Sequence, residues 1–368
     1  MWRKCIKVLF PQKRMAGRNN SANKFPLVKG DFERNKFHKN LHKSIRLKIL
    51  LTPFTRGGIT QTTSKMQIIK NSNDIYNITQ KWRQENQQIG FVPTMGALHE
   101  GHISLCNIAR QENQKYITSI FVNPTQFAPG EDYDKYFRPF ERDCELLRDA
   151  GCDAIFAPDA AQMYEEQSST KVSVSGLTSL WEGAVRPTHF DGVTTIVSKL
   201  FHLVPAHRAY FGEKDYQQLK IIQRMVRDLN FPIEIIPVPT VRESDGLAKS
   251  SRNAYLNPAE RQAATVLYQA LQSAVKLVAD GEKDIKVLLD EMHKVCEKEP
   301  LFQLDYAAIV DTETLQPLMC LEKSPVRALI AGYIGRTHLI DNCGINFNAM
   351  RLGNIDSIKT SNGPEPRY

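Results

Sequence analysis

The chain has 368 residues, 42% of them hydrophobic, a net charge of +8 and a mean hydropathy of −0.38. That is enough for two domains with cores, and no run of about 20 apolar residues is present to span a bilayer, so a soluble globular protein is expected. Seven scattered cysteines, odd in number and without CxxC spacing, argue against a zinc site or a disulfide framework and fit a reduced, cytoplasmic compartment.

The charge is unevenly placed. Residues 1–65 carry 16 Lys or Arg and only two acids, Asp31 and Glu33, whereas the remaining 303 carry 32 basic and 38 acidic groups. A basic-patch argument for nucleic acid therefore stops at about Lys65. Residues 1–65 lack the apolar stretch of a secretory signal. They read as an upstream stretch with Met66 the true start, as an organelle-targeting peptide, or as a disordered basic arm that touches a polyanion. They are left out of the fold expectation.

From Met66 the pattern alternates short apolar runs with helical stretches. Strands are predicted at 89–94, 117–122, 154–156, 209–211 and 233–238. Helices are predicted at 103–112, 141–150 (stopped by Gly151), 193–203 and 216–229. Alternation of this kind predicts an α/β fold: a doubly wound, parallel, Rossmann-like sheet over 66–241. Ligands of such sheets bind beyond the carboxyl ends of the strands. After Val241 a loop of small and charged residues runs to Asn253. Helices follow at 258–279 and 283–297, then strands at 306–310, 328–334 and 338–340. This predicts a smaller α+β lid domain over 242–350 and a polar tail over 351–368.

Four segments at strand ends carry chemistry. The first is Met95-Gly96-Ala97-Leu98-His99-Glu100-Gly101-His102, a glycine-containing turn between a strand and a helix. Glycine admits close approach of a ligand, and a helix start offers N–H groups to phosphate. Two imidazoles three residues apart, as cations or N–H donors, suit charge on departing pyrophosphate. The bland alternative is a capping turn with incidental histidines. Neither a GxxxxGK[ST] loop nor a GxGxxG is present, which disfavours kinases and dinucleotide enzymes of those types.

The second is Gly212-Glu213-Lys214-Asp215, opening the next helix, with Gln218 one turn beyond Lys214. Lys214 is a point charge for phosphate oxygens, and Asp215 suits a ribose hydroxyl or a helix cap. The third is the loop 245–253, where Ser250 and Ser251 lie between Lys249 and Arg252. It reads as a mobile polyphosphate clamp or as a polar linker. The fourth is 121–127, where Asn123 and Gln126 offer neutral amides to a hydroxy acid, or form an ordinary loop. The polar turn 186–192 is a possible rim. Asp132, Asp134 and Asp143 are metal-ligand candidates that each read first as solvated surface. ATP brings Mg²⁺ in any case.

Together and in this order, these motifs resemble the pantothenate synthetase (pantoate–β-alanine ligase) family over about residues 66–347. The likeness includes Leu180-Trp181-Glu182-Gly183, His189-Phe190-Asp191-Gly192 and the stretch 328–337. The family belongs to the HxGH nucleotidylyltransferase group, related in fold to class I aminoacyl-tRNA synthetases. The resemblance implies ATP- and Mg²⁺-dependent condensation of (R)-pantoate with β-alanine through a pantoyl-adenylate, releasing AMP and pyrophosphate, and a homodimer. It implies that residues 95–102 line the ATP site, with His102 catalytic. Gln126 matches a residue shared by pantoate and β-alanine, and Gln218 a pantoate ligand. Gly212 to Asp215, Val241, Lys249, Ser250, Ser251 and Arg252 match the remaining ATP contacts. Lys249 stands where the family usually has Met, which predicts an extra charge beside the phosphates. Two rivals stand beside this reading: a nucleotidylyltransferase that makes no amide, and a nucleic-acid-binding protein acting through residues 1–65.

Overall fold

Short β-branched and aromatic runs alternating with helices build the parallel sheet that the alternation predicts. The computed structural model describes residues 66–131, 133–321 and 325–345. The readings of residues 1–65 and of the tail lie outside these residues, as does Asp132.

The chain opens with β1 (Gln67–Ile69) and α1 (Ser72–Gln84), whose N-cap Asn71 accepts from the amides of Asn73 and Asp74. There follow β2 (Ile89–Thr94), α2 (Glu100–Glu112), β3 (Lys115–Ile120), α3 (Phe140–Asp149), β4 (Ala154–Phe156) and the single turns α4 (Ala160–Met163) and α5 (Glu182–Val185). The long helix α6 (His189–Leu203) leads to β5 (Arg208–Gly212), α7 (Tyr216–Asp228) and β6 (Glu234–Val238). The strands pair in parallel in the order β1-β4-β3-β2-β5-β6. The order reverses between β2 and β5, and the crevice at such a point is where open α/β sheets bind ligands. The turn 95–102 leaves β2 and the segment 212–215 leaves β5, so these two motifs flank that crevice.

Both faces of the sheet are covered. Phe91, Ile117 and Phe211 face Val193, Ile196 and Leu219 of α6 and α7. Val92, Tyr116 and Ile155 face Leu105, Ala109 and Leu147 of α2 and α3. Residue alternation along each strand divides the two cores.

Beyond β6 the elements are α8 (Pro258–Ala263), α9 (Val266–Ala279), α10 (Ile285–Glu297), β7 (Phe302–Asp311), β8 (Val326–Ile334) and β9 (Thr337–Ile345). The three strands form an antiparallel sheet in chain order. One face carries Ile309, Ala328 and Ile330 against Leu267, Leu271 and Leu288 of the helices. The other gives Ala308, Val310 and Leu329 to the core of the first sheet. The helix predicted over 258–279 is broken at Ala264-Thr265, where the Thr265 hydroxyl donates to the Gln262 carbonyl.

Candidate active site

The turn after β2 is held by a carboxylate the sequence did not mark for this task. Gly96 and Ala97 both adopt positive φ, 81° and 51°. This points the amides of Ala97 and Leu98 at Asp143 of α3, whose Oδ2 and Oδ1 accept from them, each at 2.8 Å. Asp143 is 1% exposed, so the solvated surface expected for it is replaced by a buried strut; burial pushes its carboxyl up against the pull of those two amides. Asp134 is exposed as expected.

The two histidines form a reciprocal cap on α2. Gly101 N donates to His99 Nδ1 at 3.1 Å, and His99 N donates to His102 Nδ1 at 3.4 Å. Both Nδ1 atoms are therefore acceptors, which places the ring protons on Nε2. The rings lie 4.2 Å apart between centroids. Burial, then Lys214, lowers the pKa of His99 to about 4; burial, then His99, lowers that of His102 to about 3. Of the cation and N–H donor options, neutral Nε2–H donors are the form present near pH 7.

A cleft of about 280 Å³ lies between the strand ends and the second sheet. Met95, His99, Gly101 and His102 line it from the first motif; Gly212, Lys214, Asp215 and Gln218 line it from the second. Val241, Lys249, Ser250, Ser251 and Arg252 form the facing wall, and Gln126 the floor of the third side. Gly96, Ala97 and Leu98 lie buried behind the wall, where Leu98 packs with Val92 and Leu105. Glu100 is largely exposed and points to Lys249.

Gln126 sits in a web of its own. Its Nε2 donates toward Met95 Sδ at 2.8 Å, and its Oε1 accepts from Asn123 Nδ2 at 3.2 Å. Asn123 also donates to the Gly192 carbonyl and accepts from the Tyr164 hydroxyl. The Asn123 amide is thus spent on the loop, and Gln126 is the amide in the cleft. Arg186 Nη2 donates to the Gln126 carbonyl, and His189 Nδ1 lies 2.9 Å from it.

The segment after β5 is clasped from the second sheet. Asn342 Nδ2 donates to the carbonyls of Glu213 and Lys214 at 3.0 and 2.8 Å. Arg327 donates from Nε to Asn342 Oδ1 and from Nη2 to Glu213 Oε2, with its guanidinium 3.9 Å from the Tyr216 ring centroid. The Glu213 side chain is therefore turned toward Arg327. Lys214 faces the cleft with its Nζ 3.3 Å from Asp215. Arg327 and Asn342 went unmarked in the sequence because they lie within an apolar strand pattern more than a hundred residues away.

The start of the third motif, residues 245–248, is fastened in a hairpin with Arg242. Arg242 pairs with both oxygens of Asp341, at 2.6 and 3.0 Å, and caps the Gly246 carbonyl. Gly246 has φ 91°, and a Cβ there would lie 2.0 Å from the Tyr268 ring. Lys249 does not stand as an uncompensated charge: its Nζ is 2.8 Å from Glu243 and 3.3 Å from Glu100. No group of three metal-ligating side chains occurs among the described residues.

A two-histidine turn and a lysine segment on either side of a parallel-sheet crevice define a nucleotide-using α/β enzyme. The family model described as pantoate-beta-alanine ligase matches residues 67–344. Pantothenate synthetase of Rubrobacter xylanophilus is 51% identical over 289 residues, 77% of this chain and 99% of the relative. That of Moorella thermoacetica is 51% identical over 285 residues, 77% of this chain and all of the relative. The crystal structure of pantothenate synthetase from Thermus thermophilus superposes with a TM-score of 0.72 at 48% identity, covering 76% of this chain and 99% of that one. Pantoate-beta-alanine ligase from Francisella tularensis, complexed with beta-gamma ATP and beta-alanine, gives 0.62 at 33% identity, covering 76% and 97%. The chain belongs to the pantoate–β-alanine ligase family.

Proposed function

We propose that this enzyme condenses (R)-pantoate with β-alanine at the expense of ATP, forming pantothenate through a pantoyl-adenylate. The observation that carries the reading is the pair of Nε2–H donors of His99 and His102 at the crevice between β2 and β5, facing Lys214 and Arg252. The pantoate carboxylate attacks the α-phosphorus, and the bond to pyrophosphate breaks. Charge grows on the leaving oxygens, where preorganised donors act most strongly. His102, Lys214 and Arg252 supply them, with His99, Ser250 and Ser251 alongside. The Gln126 and Gln218 amides hold pantoate, and Gln126 also reaches β-alanine. The amine then attacks the acyl carbon, the C–O bond to AMP breaks, and the amide nitrogen releases its proton.

Magnesium enters with the triphosphate. Asp215, the carboxylate of the second motif on the cleft wall, would be the side chain to hold it, and the ion would neutralise charge on the phosphate oxygens. Residues 242–345 act as the covering layer whose closure keeps water from the adenylate. No helix among the described residues is long and apolar enough to cross a membrane. Five buried or half-buried free thiols, at Cys106, Cys144, Cys152, Cys296 and Cys343, support a cytoplasmic site. A homodimer belongs to the same reading, and sedimentation of the purified chain measures it.

The test is pantoate-dependent exchange of labelled pyrophosphate into ATP without β-alanine. We expect exchange in the wild type and its loss by orders of magnitude in His102→Ala, with the fold retained at a melting temperature lowered only by the lost cap on α2. Normal exchange in that variant removes His102 from the mechanism. A product that retains AMP when β-alanine is present overturns the ligase in favour of a plain nucleotidylyltransferase.

A further inference from the structure

One carboxylate in the cleft has no task in the steps above. Glu182 is 6% exposed and lines the cleft, and its Oε2 has no hydrogen-bond partner among the described residues. Native proteins rarely bury an acceptor of this strength without a donor. Its other oxygen, Oε1, stands 3.6 Å from Arg186 Nη1 and 3.7 Å from His338 Nδ1, both beyond hydrogen-bond reach. Arg186 is meanwhile bound through two nitrogens to Glu131, and His338 Nε2 lies 3.1 Å from Asp305. Three carboxylates thus share one guanidinium and one imidazole behind the cleft wall, and at the wall itself Glu182 is left short of a cation. The opposite wall, with Lys214, Lys249 and Arg252, favours anions.

The chain also strains to put Glu182 there. Trp181, immediately before it, adopts φ 44°, ψ −116°, a conformation L-residues rarely take. Strain of this kind persists only where the surroundings enforce it, and it clusters at functional sites. The Trp181 indole donates to the Leu315 carbonyl at 2.8 Å, and its ring lies 5.6 Å from that of Tyr306. Gln217 accepts from the Glu182 amide and donates to the carbonyls of Leu177 and Leu180. At Gly183 a Cβ would lie 2.0 Å from the Thr178 carbonyl oxygen. Every neighbour of Glu182 is fixed, while its Oε2 is left buried and without a donor at the cleft wall.

We infer that Glu182 is the ammonium-binding group for the amine substrate, accepting hydrogen bonds from the protonated nitrogen of β-alanine through Oε2. The inference rests on the ligase reading. Arg186 bridges the two residues, with Nη2 3.3 Å from the Gln126 backbone carbonyl and Nη1 3.6 Å from Glu182 Oε1, so Glu182 and Gln126 line the same end of the cleft. Glu182 thereby selects a charged amine and places its nitrogen near the acyl carbon, which it attacks once it has given up one proton to water in the cleft. The carboxylate has no part in adenylate formation.

The experiment compares Glu182→Gln, Glu182→Asp and the full-length wild type in three assays. These are pantoate-dependent pyrophosphate exchange, steady-state KM for β-alanine, and trapping of the activated acid by hydroxylamine, an amine neutral at the assay pH. Wild-type exchange is measured first; its absence strikes the ligase reading rather than the role of Glu182. With exchange present, Glu182→Gln is expected to raise the KM for β-alanine roughly 10- to 100-fold, the worth of a charge-assisted hydrogen bond. Exchange and hydroxamate yield should stay within about threefold of wild type on the same reasoning. Glu182→Asp keeps the charge and should recover part of the KM. An unchanged KM in Glu182→Gln means that Oε2 is merely hydrated and overturns the inference. So does a parallel fall in all three assays, which marks a structural role, and so do equal defects in Asp and Gln.

Discussion

At His102 the backbone decides which nitrogen carries the proton. The His99 amide occupies Nδ1, so Nε2–H faces the cleft as a donor, and burial holds the ring neutral. This has a consequence for stability. An unfolded imidazole takes a proton near pH 6.5, whereas His99, His102 and His189 in the folded chain refuse it until about pH 4, 3 and 4. Below pH 6.5 the unfolded chain binds more protons, so stability is complete above that value and falls as the pH drops toward 4. Each ring contributes about 1 kcal/mol per pH unit near pH 5 after allowance for solvent screening. Urea unfolding at pH 7, 6 and 5 measures the slope, and His102→Gln should flatten it by one ring's share. An unaltered slope in that variant means that His102 titrates normally. The two histidines were legible in the sequence because a single turn contains them. Asp143 was not, since its partners Ala97 and Leu98 lie over 40 residues away and an isolated Asp early in a helix reads as solvated.

Elements were legible where one period dominated. The strands at 89–94 and 154–156 and the helix at 216–229 were placed to within a residue, since the strands are apolar on both faces and the helix turns one apolar face to its core. The last strand was predicted only over 338–340 and runs to Ile345, because Asp341 and Asn342 interrupt its apolar pattern. Both are buried and paired, to Arg242 and to Arg327. Tertiary partners replaced the apolar signal there. The turn between β2 and α2 is the element whose geometry matters most, and its stability is set from α3. Asp143→Ala would leave the buried amides of Ala97 and Leu98 without an acceptor, a loss of about 2–4 kcal/mol. Chemical denaturation should show that loss, with a raised KM for ATP because His99 and His102 follow the turn. A variant that keeps wild-type stability would mean that water replaces the carboxylate.

On the scale of the molecule, the nucleotide wall belongs to one sheet and its support to the other. Gly212 to Asp215 leave β5, yet the carbonyls of Glu213 and Lys214 are held by Asn342 of β9, and Arg327 of β8 braces both Asn342 and Glu213. The segment after Val241, predicted from its change of texture to be a lid, thus also holds the backbone on either side of the Lys214 side chain. No periodicity in the sequence could announce this, because the partners lie 114 to 129 residues apart. Asn342→Ala removes two hydrogen bonds from the segment, and a third from Arg327 Nε, while leaving the Lys214 and Asp215 side chains unaltered. Both carbonyls are only part-buried, so water can satisfy them and the fold should survive with a melting temperature lower by about 2–4 °C. Lys214 would no longer be held in register with the phosphates, and the KM for ATP should rise roughly tenfold, equivalent to about 1.4 kcal/mol. The KM for β-alanine should move less, since the Glu182 corner is anchored through Gln217 and Leu315 instead. Equal shifts for both substrates would mean that the clasp orders the whole cleft, and an unchanged KM for ATP would mean that Lys214 is positioned by β5 alone.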